Sequence, residues 1–171
     1  FDADELMAAY QSSTTTLKLA FVDATLGSDA SGDSFANFTS EIDPDELDST
    51  DATNAYYSQI VPFTSVSKYL IGHFAYRSTG ADYAFEFAVG TIGGSSGGSR
   101  TFTKQSGGII TSSGVSDSAV SVSTDPVGFT SAGRVRYDAT KDRAFVFDSE
   151  FLYSISVNSS GVASCSPLTT I

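Results

Sequence analysis

Two neighbouring stretches, SKYLIGHFAYR (Ser67–Arg77) and YAFEFAVGTI (Tyr83–Ile92), constrain the fold more than anything else in this chain. Both are rich in aromatic and β-branched residues, which suit a pleated sheet, and STGAD between them reads as a hairpin connection. In the first stretch Tyr69 and Ile71 fall on one face, while Leu70, Phe74 and Tyr76 fall on the other. A strand with water on one side alternates apolar with polar residues. This one is therefore expected at the centre of a sheet covered on both faces, by a helix, a second sheet or a neighbouring subunit. Further strand candidates are RTFTK, GIITSS, AVSVST, GRVRYD, RAFVFD, FLYSISV and VASCS, separated by Gly, Ser, Asn and Asp clusters. Their spacing predicts an antiparallel meander. GGSSGGS, Gly93–Ser99, reads as a loop tip or a long hairpin connection.

Two segments read as helical. Asp2–Gln11 carries acids in its first turn, where they complement a helix dipole, and Leu6 and Tyr10 share a face. The run SSTTT then leaves the helix. Beyond it Leu17, Leu19 and Phe21 alternate with Lys18, Ala20 and Val22, which favours a strand, with a continuous helix to Ala20 as the alternative. Farther on, Asp43-Pro44-Asp45-Glu46 has the cap, Pro and Glu of a capping box, and Ala52, Ala55, Tyr56 and Ile60 follow at helical spacing until Pro62. The fold class implied is α+β and β-rich, with N-terminal helical segments packed on an antiparallel β meander. An all-β sandwich is the alternative. The 171 residues fit a single domain, 1–171, in which 1–22 is a helix or an assembly strand.

Net charge is −11 and the isoelectric point near 4.2. Nine Lys and Arg residues scattered along the chain form no basic patch, which disfavours nucleic acid and anionic membrane surfaces as partners. No segment reads as membrane-spanning. The opening stretch holds Asp2, Asp4, Glu5 and Lys18, and each Asp or Lys near a bilayer centre costs roughly 2.5–3.5 kcal/mol. The chain opens on Phe1 rather than Met, which reads as a processed terminus or a piece of a longer protein.

Residues that carry chemistry are few. His73 has no second His or Cys nearby in sequence to complete a zinc site, so a structural histidine is expected. Cys165, the single cysteine, lacks a basic neighbour to activate it and reads as a free thiol. Glu86 lies between Phe85 and Phe87; with the phenylalanines inward it is expected to face out. Asp148 and Glu150 fall at a turn, and a glycosidase-like carboxylate pair is the remote catalytic reading. Asp29 and Asp33 in DASGD are a better calcium candidate than the acids from Glu41 to Asp51, which suit a helix start, but the loop is short of ligands and solvated acids are the default reading. The glycine loop lacks the Lys-Ser/Thr of a phosphate cradle, and no cofactor is expected. Asn37 and Asn158 stand in glycosylation triplets.

Phe1, Glu5, Leu6 and Met7 sit at the offsets that open a type IV pilin. The stretch Val127–Cys165 resembles the closing sheet of minor pseudopilins, with its apolar-Phe strand, paired strands and late I-x-V-x-x-x-G turn. This resemblance implies a mature terminus at Phe1 and a role for Glu5 in neutralising a neighbour's N-terminus during assembly. The residues that would form the pilin's hydrophobic half-helix are polar here. TLKL, Thr16–Leu19, is similar to the first strand of TasA/camelysin-type matrix fibre proteins. That likeness implies strand addition between subunits. Both point to an extracellular or cell-surface filament or secretion-pseudopilus subunit rather than an enzyme. It would assemble with copies of itself or related subunits through Phe1, Glu5, Leu17, Leu19 and Phe21. An extracellular β-rich binding module, an adhesin or virion surface protein, is the alternative.

Overall fold

The structure, a computed structural model, describes the backbone of residues 5–11, 17–23, 38–42, 52–77, 82–94, 101–111, 114–115, 120–122, 133–148 and 151–170. Side chains are described for 58–76, 83–94, 101–110, 133–148 and 152–168. Strands β1 (Glu5–Gln11), β2 (Leu17–Asp23) and β3 (Phe38–Ile42) form an antiparallel sheet in that order. The next meander is β4 (Ala52–Phe63), β5 (Lys68–Arg77), β6 (Asp82–Gly93) and β7 (Thr101–Thr111), extended by the short β8 (Gly114–Val115). A third sheet runs β10 (Arg134–Asp138), β11 (Arg143–Phe147), β12 (Phe151–Val157) and β13 (Ala163–Thr170). There β9 (Val120–Val122) lies parallel beside β13.

No helix occurs among the described residues, so the α+β expectation is corrected to all-β, which was its alternative. Residues 5–11 are a strand because every one of them pairs with β2, and a ladder outweighs the modest helix preference of Glu, Leu, Met and Ala. The helix expected through Ala52, Ala55, Tyr56 and Ile60 is likewise a strand, β4. As a strand it sends Val61 and Phe63 into the core, and its aromatic and β-branched content suits that state. Pro62 is tolerated because β4 is the edge of its sheet.

The two larger sheets pack face to face. From the β4–β8 sheet come Phe63, Leu70, Phe74, Phe85, Phe87 and Ile110; from the other come Val135, Val146, Tyr153, Ile155 and Cys165. Phe74 meets Phe85 at 5.1 Å between ring centroids, and Phe85 stacks on Phe87 at 5.8 Å. Gly72 makes room for this cluster, since a Cβ there would come within 2.6 Å of the Phe85 ring. Buried Ser106 on β7 stitches the sheets, donating to the Gly161 carbonyl (2.6 Å) and accepting from the Ala163 amide (3.1 Å). Gly161 closes the β12–β13 turn at φ +80°, beside the exposed Asn158, whose Oδ1 accepts from the Ser160 and Val162 amides.

As expected from the sequence, β5 is covered on both faces. Leu70 and Phe74 enter the sandwich core, and Ile71, His73 and Ala75 on the opposite face are at most 1% exposed. The strands outside the sandwich are β1–β3. β1 lies against β4 and β3 against β7.

Candidate functional site

The β5–β6 hairpin is in continuous register from Arg77 opposite Asp82 to Tyr69 opposite Gly90, and this sets His73 directly across from Glu86. Cross-strand partners share a face. That face is the outer one, where Ile71, Ala75, Ala84, Ala88 and Ile109 surround the pair. His73 Nε2 and Glu86 Oε2 are 2.7 Å apart and share a hydrogen bond, and each residue is 1% exposed. The expectation that Glu86 faces water is corrected. Its position opposite Phe85 and Phe87 is as read, but that side of the sheet is also buried.

The pair is incompletely satisfied. His73 Nδ1 and Glu86 Oε1 are buried without a hydrogen-bond partner. A third such atom, Ser58 Oγ, lies in the same row. The β4–β5 ladder passes from Tyr56 opposite Phe74 to Gln59 opposite Gly72, so Tyr57 and Ser58 bulge opposite His73. A hydroxyl, an imidazole and a carboxylate thus stand on three consecutive strands. No hydrogen bond joins Ser58 Oγ to the ring, and the acid–base groups are closed off from solvent. In this state the row is a buried polar seam.

At one end of the sandwich, Asp142 ties two turns together. Its carboxylate accepts from Ser65 Oγ in the β4–β5 turn and from the Tyr137 hydroxyl on β10. Both Asp142 and Ser67 adopt left-handed backbone, at φ 49° and 53°. Partial burial, and then the acceptor Asp142, raise the Tyr137 phenol above its ordinary range. An open depression lined by Pro62, Thr64, Ser67, Lys68, Tyr69 and Ile92 lies at the same turn.

Of the assembly residues read from sequence, Glu5 begins β1 opposite Asp23, and Leu17, Leu19 and Phe21 hold alternate positions on β2, the middle strand of the N-terminal sheet. Phe1, the calcium candidates Asp29 and Asp33, Asn37 and Glu150 lie outside the described residues. Among the described residues no group of three or more His, Cys, Asp or Glu side chains converges. Cys165 is buried opposite Ile155, and burial pushes its thiol up to about 12. The sequence signal for the His73–Glu86 pair was present in the hairpin. The β5–β6 register pairs positions whose numbers sum to a constant, and 73 and 86 satisfy it. Comparison with protein-family models, with curated proteins and with solved structures finds no match.

Proposed function

We propose that this protein is an extracellular structural subunit of a surface filament or secretion pseudopilus, joining copies of itself or related subunits through its N-terminal strands. The supporting observation is the separate N-terminal sheet. β1 and β2 pair along seven residues and, among the described residues, neither shares a ladder with the sandwich strands and β1 stands at the sheet edge. An edge strand presents a row of backbone donors and acceptors to another chain. Strand addition uses such an edge, with main-chain bonds giving affinity and alternate side chains giving specificity. Residues 5–11 as a strand favour this mode over the helix packing of a pilus core. On this reading Leu17, Leu19 and Phe21 supply the apolar side of the joining sheet. The protein acts by contact rather than by making and breaking bonds.

Ala8→Pro tests the reading, because proline removes a backbone donor from the middle of β1 and distorts the strand. Wild-type protein is expected to form filaments visible by negative-stain electron microscopy. The variant is expected to remain monomeric in size-exclusion chromatography, with the sheet signal of its circular dichroism retained. A wild-type chain that stays monodisperse at every concentration overturns the proposal.

A further inference from the structure

We infer that the open depression at the β4–β5 turn binds a uronic acid, a single sugar ring bearing a carboxylate, and that Lys68 holds the carboxylate. None of the lining residues belongs to the N-terminal strands, so the site does not depend on assembly.

Charge is the first support. The chain has 20 Asp and Glu residues against nine Lys and Arg. With acids in such excess, Lys68 is nevertheless half-buried and forms no ion pair among the described residues. An ammonium group partly withdrawn from water, with no counter-charge of its own, attracts a carboxylate from outside more strongly than a fully exposed one does.

The lining is the second. Beside Lys68 stand the exposed hydroxyl residues Thr64 and Ser67 and the half-buried Tyr69, while Pro62 and Ile92 supply apolar surface. A sugar ring divides in the same way, with hydroxyls at its edge and C–H groups on its faces. An inorganic anion would leave Pro62 and Ile92 without contact, and an alkyl carboxylate would leave the hydroxyls unmatched. The depression holds about 350 Å³, near the lower end of the range of small-molecule sites, about 300–1,000 Å³. That suits one ring rather than a folded partner.

The third support is that the walls are fixed. The Val66 amide donates to the Phe63 carbonyl at 3.3 Å within the turn. From the other sheet, Asp142 accepts from Ser65, and the Tyr137 ring meets Phe63 edge-on at 5.6 Å. Lys68 stands across from Phe63 in the β4–β5 register, and Ser67 beside it is held in left-handed backbone, uncommon for a residue with a Cβ. A site shaped before its ligand arrives loses less freedom on binding. The net charge of −11 opposes any anion, so affinity is modest, with a Kd on the order of a millimolar.

Saturation-transfer NMR on the full chain tests this, because it reads ligand binding to single chains and to assemblies alike. Sodium glucuronate is the probe, with glucose, acetate and tetraglutamate as comparisons. Glucuronate should bind at least about fivefold more tightly than glucose, which lacks the carboxylate, and than acetate, which lacks the ring. Lys68→Met should weaken glucuronate by about fivefold or more, and Lys68→Arg should retain it. Lysine acetylation followed by peptide mass spectrometry reads the location. Saturating glucuronate should slow acetylation of Lys68 severalfold and leave the exposed Lys141 unchanged. Competition by polygalacturonate would identify sugars within a polymer as the source, and failure to compete would assign the site to the free acid; either supports the ring and its carboxylate. No glucuronate signal at tens of millimolar overturns the site. Equal binding of glucose overturns the role of charge, and equal binding of acetate reduces the site to an anion contact and overturns the sugar. Tighter binding of tetraglutamate overturns it in favour of an acidic peptide. Binding with Lys68 unprotected overturns the location.

Discussion

Glu86 stands between two phenylalanines on β6, and the alternation that sends those rings into the sandwich sends its carboxylate to the opposite face, which is also buried. There it has one hydrogen bond, to His73, and one oxygen without a partner. Removing one member of a buried ionisable pair strands the other, whereas replacing both with apolar groups removes the desolvation cost as well. Glu86→Leu alone is therefore expected to lower stability by about 3–5 kcal/mol, and the double change His73→Phe with Glu86→Leu by far less or not at all. Urea melts of the single and double variants check this; equal losses in both would mean that the pair acts only through its volume. Cys165 makes a second claim at this scale. Its thiol is 1% exposed and pushed up to about 12, so the reactive thiolate is scarce at neutral pH. A disulfide reagent at pH 8 should leave the native protein unmodified and react fully once it is unfolded. As pH rises from the ordinary thiol range toward 12, the unfolded chain ionises first, so this group's contribution to stability is lost with rising pH. Rapid modification of the folded chain would show that β13 opens readily.

At the scale of elements, Asp142 links the β4–β5 turn to the β10–β11 hairpin through Ser65 and Tyr137. Asp142→Asn keeps a side chain that tolerates left-handed backbone but removes the charge and one acceptor oxygen. Stability should fall by about 0.5–1.5 kcal/mol, since solvent competes for these partly exposed bonds. The Tyr137 phenol should then ionise at lower pH, because Asp142 is one of the causes that raise it. Absorbance titration of the phenol checks the direction, and no movement would assign the shift to burial alone. Strands in the second half of the chain were legible in sequence because their turns punctuate them: Asp138 caps the β10–β11 turn, and Asn158 with Gly161 closes β12–β13. β1 and β4 were not legible. Their apolar residues fit a helical spacing as well as an alternating one, and the deciding contribution is pairing with distant strands. Glu86 was misread for a related reason. Alternation gives the face on which a residue lies, but not whether that face is buried.

At the scale of the whole molecule, the sandwich is bound by a core that both large sheets share, while among the described residues the N-terminal strands pair only with one another. On the proposed reading, the N-terminal sheet is the joining element. The chain's net charge of −11 opposes that joining, because each added copy brings like charge close to the last. The screening length shrinks from about 30 Å at 0.01 M salt to about 10 Å at 0.1 M. Repulsion between neighbouring bodies then fades, while apolar contact and strand pairing persist. The concentration at which half the protein assembles should therefore fall severalfold over that range of sodium chloride, as read by sedimentation and light scattering. It should fall again as pH drops toward the isoelectric point near 4.2 and carboxylates take up protons. A midpoint that does not move with salt would remove charge from the account of assembly. A midpoint that rises with salt would mean that ion pairs between copies, rather than strand addition at β1, hold the filament.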